Sequence, residues 1–461
     1  MGGFSAVIGN PPFLGGQKLT GTYGNQFRDF IVQTIANGTK GSADLCSYFF
    51  LVCFDSIKQN GRAGLVATNT IAQGATREVG LARIVGKGGT IPAAMVNVPW
   101  SGDAAVMVNV VTIKRGEHKQ PASLNGLKVE SVNEYLVKPG TITGNPFRLN
   151  ENSNSAGQGS IILGSGFLIT EDKSEEMIKS NPANQQVLFP CLNGKDLNNN
   201  PNHFPSRWCV NFFDWSIEEA KKYREPWQIV ENEVKPFRQR RKDDGSYVCR
   251  EPNPTTYWIY CEKRTALYSR IHKLNRVMVI ALTSKVVMPV WVPSNWVYSH
   301  ACGVFTFDDD FTFGVLSSQF HWWWTQRYAS SMKGDTRYTP RDVFETFPRP
   351  LFCEKVEHAG FELNTHRAPM MIRNNEGLTK TYNRMHNPEE NDPGIEKLRQ
   401  LHTALDIAVR DAYGWQEIEL RHGFHDTKQG TRWTISPEAQ RQVLDRLLAL
   451  NHERYELENG G

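Results

Sequence analysis

FSAVIGNPPFLGG, residues 4–16, begins as a short apolar strand, Phe4 to Ile8, predicted to be buried, and runs straight into Asn10-Pro11-Pro12-Phe13. Residues at the C-terminal end of a strand face the ligand crevice of an open α/β sheet. Two successive prolines fix φ and remove two N–H donors, so the turn presents acceptors. Asn and Pro also punctuate ordinary loops. Ordinary residue usage nevertheless produces Asn-Pro-Pro-aromatic only about once in a few hundred chains of this length. Here it closes an apolar run.

Rigid acceptors suit one kind of chemistry. The exocyclic amine of adenine is a poor nucleophile because its lone pair is delocalised into the ring. Two acceptors, one on each N–H, favour a pyramidal nitrogen with a freed lone pair. The Asn10 side-chain oxygen and the Pro11 carbonyl are the candidates, with catalysis resting on positioning and electrostatics. Pro12 completes the rigid turn, and Phe13 offers a flat face to an extruded base.

Working outward, the chain up to about residue 115 alternates in an α/β manner. A polar Gly-rich loop is expected over 15–24 and a helix near 25–36. A second helix runs from an N-cap at Ser42 to about Gln59, with Leu45, Phe49, Val52 and Ile57 at helical spacing and Gly61 as its stop. GRAGLVATN (61–69) reads as a buried strand, 70–85 as a helix and AAVMVNVVTIK (104–114) as a strand. That alternation predicts a mostly parallel sheet. Polar Gly/Asn/Ser-rich sequence over 116–160 marks a boundary, and short aromatic and β-branched runs follow to about 350. The tail is helical, with Leu398, Leu401, Leu405, Ala408, Val409 and Ala412 on one face. Three domains are expected: 1–150, 151–350 and 351–461.

The 461 residues are too many for one ordinary core, and a net charge of +4 allows nucleic-acid binding only through a local patch. Eight scattered cysteines without C-x-x-C or Cys/His spacing predict no metal site and a reduced, cytoplasmic protein. No stretch is apolar over a bilayer-spanning length, so no membrane partner is expected. Basic residues cluster with aromatics in VKPFRQRRKDD (234–244) and KGDTRYTPRD (333–342). Lys235, Arg238, Arg240, Arg241, Lys242, Arg337 and Tyr338 are the candidate DNA contacts, with Lys333 and Arg341 beside them. Trp322 to Trp324 and His300 are read as packing residues.

NPPF after a strand resembles the catalytic motif of S-adenosyl-L-methionine-dependent N6-adenine DNA methyltransferases of gamma-type motif order. VIGNPPFLGG, ADLCSYFFLVCFDSIKQNGRAGLVATNTIAQGATRE and GDAAVMVNVVTIKRG together resemble the methyltransferase domain of MmeI-like restriction-modification and phage-defence enzymes. PCLNGKDLNNNP, RYTPRDVFETFPRP and LLALNHERY resemble their target-recognition and C-terminal segments. The resemblance implies an α/β partial Rossmann-like methyltransferase sheet, then an α+β target-recognition domain, then a helical C-terminal region. It implies Asn10, Pro11, Pro12 and Phe13 as the catalytic motif, double-stranded DNA as partner and S-adenosyl-L-methionine as cofactor. Asp44 matches a position that borders the cofactor's methionine end, although an acid at a helix start is as readily a cap. Trp100, Asp103 and Ala104 fall near the expected base pocket.

Such enzymes carry a Gly-rich cofactor turn ahead of NPPF, and only Met1 to Gly3 precede the strand here. The GSG of SIILGSGFLIT (160–170) has no acidic residue leading it and is weak evidence for a permuted order. The expectation is therefore a C-terminal methyltransferase part whose cofactor half is supplied by a separate polypeptide or an upstream segment. Two other functions stand beside adenine methylation: a non-catalytic DNA-specificity module of a split system, and an RNA or protein-glutamine methyltransferase. The long region after the catalytic stretch favours duplex DNA, since a small substrate needs no such surface.

Overall fold

The computed structural model describes residues 2–39, 43–100, 107–138, 144–332, 335–427 and 429–460. The chain divides into two units, Met1–Asn145 and Pro146–Gly461. Asp103, Ala104 and Lys333, and the N-cap expected at Ser42, lie outside the described residues.

The first unit is a six-stranded sheet with helices. Its elements are β1 (Phe4–Gly9), α1 (Gly16–Phe30), α2 (Leu45–Ser56), β2 (Ile57–Thr68), α3 (Gly74–Val79), α4 (Leu81–Gly86), β3 (Gly89–Pro99), β4 (Met107–Arg115), β5 (Ala122–Leu124) and β6 (Leu127–Val129). The spatial order is β1-β2-β4-β3-β5-β6. β1 runs parallel to β2, with Val7 opposite Ala63, and β3 runs parallel to β5. The β2/β4, β3/β4 and β5/β6 pairs are antiparallel. The sheet is thus mixed rather than mostly parallel. Periodicity identifies strands but not their direction, and β3, which the alternation had not separated, returns to β4 antiparallel.

Three local expectations change with their surroundings. The Gly-rich stretch 15–24 is helical within α1, which is broken at Gly24 (φ +80°), and a π-turn, Ile31–Ile35, follows it. α2 is apolar nearly all round, so spacing alone could not choose its buried face. Cys46, Phe50, Leu51 and Phe54 point inward, while Phe49 and Val52 are exposed. β1 is an edge strand with one neighbour, so it is not buried: Phe4 is 65% and Ile8 90% exposed. The core instead gathers Leu45, Phe50, Ile57, Leu65, Val111 and Ile113 between α2 and the central strands.

The second unit adds β7 (Ala156–Gln158), β8 (Leu168–Ile169), β9 (Leu188–Leu192), β10 (Trp208–Val210), β11 (Arg276–Ala281), β12 (Thr283–Ser284), β13 (Val290–Pro293), β14 (Val297–Tyr298), β15 (Cys302–Phe305), β16 (Ser330–Met332), β17 (Asp335–Arg337), β18 (Gly423–Thr427) and β19 (Gly430–Thr434). They form sheets ordered β14-β9-β10-β8, β13-β11-β15-β7 and β12-β17-β16, and the hairpin β18-β19. The C-terminal helices do not build a separate core. One apolar cluster runs from Leu192 through Val279, Phe313 and Trp324 to Leu405 and Leu447. Helix Glu354–Asn374 crosses helix Asp310–Ser317 at Gly360, where a Cβ would fall 2.3 Å from the Asp310 carbonyl oxygen. Trp324 and Trp322 are buried and Trp323 half-buried, as packing residues should be. No helix among the described residues is long and apolar enough to cross a membrane.

Candidate functional site

The end of β1 delivers the NPPF turn. Asn10 is exposed, Pro11 buried, Pro12 exposed, and Phe13 half-buried against the first unit's core. The buried proline and the packed ring anchor the turn, leaving the Asn10 side chain open. Asp44 fixes the chain just beyond. Its Oδ1 accepts from Leu14 N at 3.2 Å and from Cys46 N at 3.0 Å, while Leu45 N donates to the Leu14 carbonyl at 2.9 Å. The Asp44 N–H in turn donates to Thr76 Oγ1 at 3.0 Å. Asp44 is therefore the N-cap of α2 and a clasp holding the segment after Phe13 to that helix. Burial, and next the Asp44 charge, push the Cys46 thiol well up, so it stays protonated and is no nucleophile. Trp100 is exposed at the end of β3.

A cleft of about 830 Å³ opens in the second unit. Arg264, Arg270, Arg337 and Arg341 line it against only two acids, Glu262 and Glu345, with Gln158 and His300 between them. Its walls converge from separated stretches. Arg264 stands at φ +58° ahead of helix Thr265–Ile271, Arg270 Nη1 donates to the Asn154 carbonyl at 2.7 Å, and Gln158 Nε2 donates to the His300 carbonyl at 2.6 Å. Arg337 projects from β17 beside Thr283 of β12. Because cations outnumber acids on one concave surface, the cleft suits a polyanion.

The predicted DNA contacts separate into groups. Arg337 joins the cleft. Tyr338 reaches the lining but is buried, with its hydroxyl 3.0 Å from His321 Nε2, and burial pushes that hydroxyl well above the usual tyrosine range. It has no free hydroxyl for DNA. Arg238 is a correction of the same kind. It is fully buried, its guanidinium donates to the carbonyls of Leu163 (2.9 Å), Ile162 (2.6 Å) and Ile259 (2.5 Å), and it lies 5.1 Å from the Phe167 ring centroid. Burial lowers its pKa to about 10, so it remains charged as an internal strut, out of reach of phosphate. Lys235 pairs with Glu231. Arg240, Arg241 and Lys242 are exposed on a turn closed by a bridge between Arg241 and Tyr247, apart from the cleft lining.

Sequence reasoning missed Arg264, Arg270 and Gln158 and assigned His300 to packing, whereas His300 is exposed in the cleft. The closest signal was EKRTALYSR (262–270), a basic pair and a further arginine flanking a short helix. Among the described residues no group of three His, Cys, Asp or Glu side chains could hold a metal ion.

Residues 5–124 match the family model of the MmeI DNA-methyltransferase domain, and residues 148–351 match that of the MmeI target recognition domain. The solved type IIL restriction-modification enzyme MmeI, in complex with DNA, superposes with a TM-score of 0.71 at 20% identity over 98% of this chain. The chain spans 57% of that protein's length. The type IIG endonuclease BpuSI gives a TM-score of 0.28 at 11% identity, over 89% of this chain and 54% of its own. The latter value is too low to bear on the fold. Curated proteins give no match.

Proposed function

Because the chain belongs to the MmeI family, its methyltransferase domain preceding its target recognition domain, we propose that it carries the catalytic edge and the DNA-reading surface of a site-specific adenine-N6 DNA methyltransferase. The observation that carries this reading is the open Asn10 side chain at the C-terminal end of β1, on a turn anchored by Pro11 and clasped by Asp44. In it, the Asn10 oxygen and the Pro11 carbonyl accept the two N–H bonds of a flipped adenine, and Phe13 backs the ring. The cleft arginines hold the duplex by its phosphates and base edges.

The residues present fit the amine side of this transfer and not the sulfonium side. Asp44, the acid that resemblance assigned to S-adenosyl-L-methionine, is spent on Leu14 and Cys46. β1 offers a place for the half that would bind the cofactor: its outer edge bears the exposed Phe4 and Ile8. Pairing a further strand there would satisfy the backbone edge, and an element packed on the sheet face beside it would cover the two side chains, each worth about 1.5–3 kcal/mol when fully buried. In this reading that strand belongs to the cofactor-binding half, on the same longer chain or on a separate polypeptide.

The test is product analysis of duplex DNA incubated with labelled S-adenosyl-L-methionine, this chain and the Gly-rich cofactor half. N6-methyladenine at a defined sequence is expected; methylcytosine or a methylated protein would contradict the proposal. A second reading, a DNA-specificity module without catalysis, draws on Asp44's structural engagement and predicts tight duplex binding with no transfer under the same conditions.

A further inference from the structure

Thr336 and Arg337 are neighbours on β17, the central strand of β12-β17-β16, so their side chains leave opposite faces. Arg337 enters the arginine cleft. Thr336 is buried on the other side, where its Oγ1 accepts from Gln326 Nε2 at 3.1 Å and from Gln429 Nε2 at 3.3 Å. Gln429 Nε2 also donates to Gln326 Oε1 at 3.0 Å, and its Oε1 accepts from Arg432 Nη1 at 3.0 Å. Arg432 is held in turn, 5.1 Å from the Trp322 ring centroid and with Nη2 2.7 Å from His386 Nε2.

The chain of contacts runs from helix Leu378–Met385 through the hairpin β18-β19 to a three-stranded sheet whose far face carries a cleft arginine. Gln429 sits at the turn of that hairpin, more than ninety residues from Thr336 in sequence. A hydrogen-bonded network anchored on the buried Thr336 hydroxyl sets a direction that apolar packing does not, because displacing it costs hydrogen bonds at a buried polar atom. Arg337 is read out at one end of this lever.

We propose that Gln326, Gln429 and Thr336 are positioning residues: the C-terminal hairpin sets the direction in which Arg337 enters the cleft, and so tunes the affinity and sequence preference for duplex DNA. The proposal rests on the reading of the cleft as a duplex-DNA surface.

The test uses the full chain with a mixed-sequence duplex as probe, reading the dissociation constant, the sequences enriched from a randomised pool, and the thermal midpoint. Thr336→Val keeps the side chain's shape and removes its acceptor; Gln429→Ala cuts the link from the other end; Thr336→Ser restores the hydroxyl. The first two are expected to weaken binding about threefold to tenfold, the range for members of one hydrogen-bonded network, and to flatten the sequence preference. Thr336→Ser should match the wild type. Added to Arg337→Ala, Thr336→Val should cost nothing further. Should Thr336→Val unfold the protein, Gln429→Ala carries the same comparison. Wild-type binding by both network variants, while Arg337→Ala weakens it, would overturn the positioning role alone; so would losses that multiply in full. If Arg337→Ala itself changes neither affinity nor preference, the cleft reading has failed and the inference with it.

Discussion

At the end of β1 the groups proposed for the chemistry lie within Asn10 to Phe13, and one acid, Asp44, clasps the segment behind them. The cleft of the second unit instead draws its arginines from two separated stretches: Arg264 and Arg270 from the start and the last turn of helix Thr265–Ile271, Arg337 from β17 and Arg341 from the short helix after it. The first region is a local device, in which the stiffness of two prolines does the positioning. The second is a tertiary device, in which positions exist only after the core has formed. Positions fixed by chain stiffness can be read from a short motif, whereas a surface assembled across sheets leaves no local pattern in the sequence.

Substitutions should separate the two regions. The largest effect is expected at Asn10, whose exposed side chain supports no packing. In the presence of the cofactor half, Asn10→Ala should lower methyl incorporation about a hundredfold to a thousandfold, as loss of one oriented polar group commonly does, with duplex affinity and thermal midpoint unchanged. A parallel loss of DNA binding would break the division of labour. Next in size, Arg238→Ala should cost about 3 kcal/mol of stability in denaturant unfolding, because three buried carbonyls lose a charged donor. If it instead left stability intact and weakened DNA binding, Arg238 would return to the contact list.

pH gives a milder handle on the second unit alone. Burial lowers the pKa of His321 to about 4 from an ordinary value near 6.5, so its neutral form belongs to the folded state. The unfolded chain takes up the proton first, so the stability is present above pH 6.5 and is lost as pH falls toward 4. The loss amounts to about 2 kcal/mol at pH 5. His203, likewise held to about 4, adds to the same slope. A thermal midpoint flat from pH 7 to pH 4.5 would contradict this. Smaller still, Asp44→Ala should destabilise the first unit by about 1 kcal/mol through loss of the α2 cap, with Asp44→Asn milder since an amide oxygen can still accept. At the bottom of the scale, Arg240→Ala should weaken DNA binding uniformly across sequences by no more than one phosphate contact, lowering the salt-dependence slope by about 1.

The same contrast explains what could be read in advance. NPPF behind an apolar strand and the packing of Trp322 and Trp324 follow from local pattern, and each is where the pattern placed it; a helix before GRAGLVATN was also legible, but it ends at Ser56, and Ile57 to Gly61, expected as its last turn and stop, belong to β2. The exposure of β1 was not legible, because apolar composition says that a strand wants a cover, not that this chain supplies one. Strand direction in the mixed sheet, and the inward face of an all-round apolar α2, are likewise set by neighbours rather than by period. Arg238 and Tyr338 look like surface contacts within their basic runs, yet both are buried, since flanking charge does not report side-chain direction. Of the cleft's arginines, Arg337 and Arg341 stood in a basic run, whereas Arg264 and Arg270 were marked only by the charges of EKRTALYSR.

In the proposed function the residues present hold the amine of a methyl transfer and leave the sulfonium to another segment. Isothermal titration of S-adenosyl-L-methionine into this chain tests it most directly. No saturable binding in the micromolar range is expected. Micromolar binding that Asp44→Ala abolishes, with the fold intact, would contradict it.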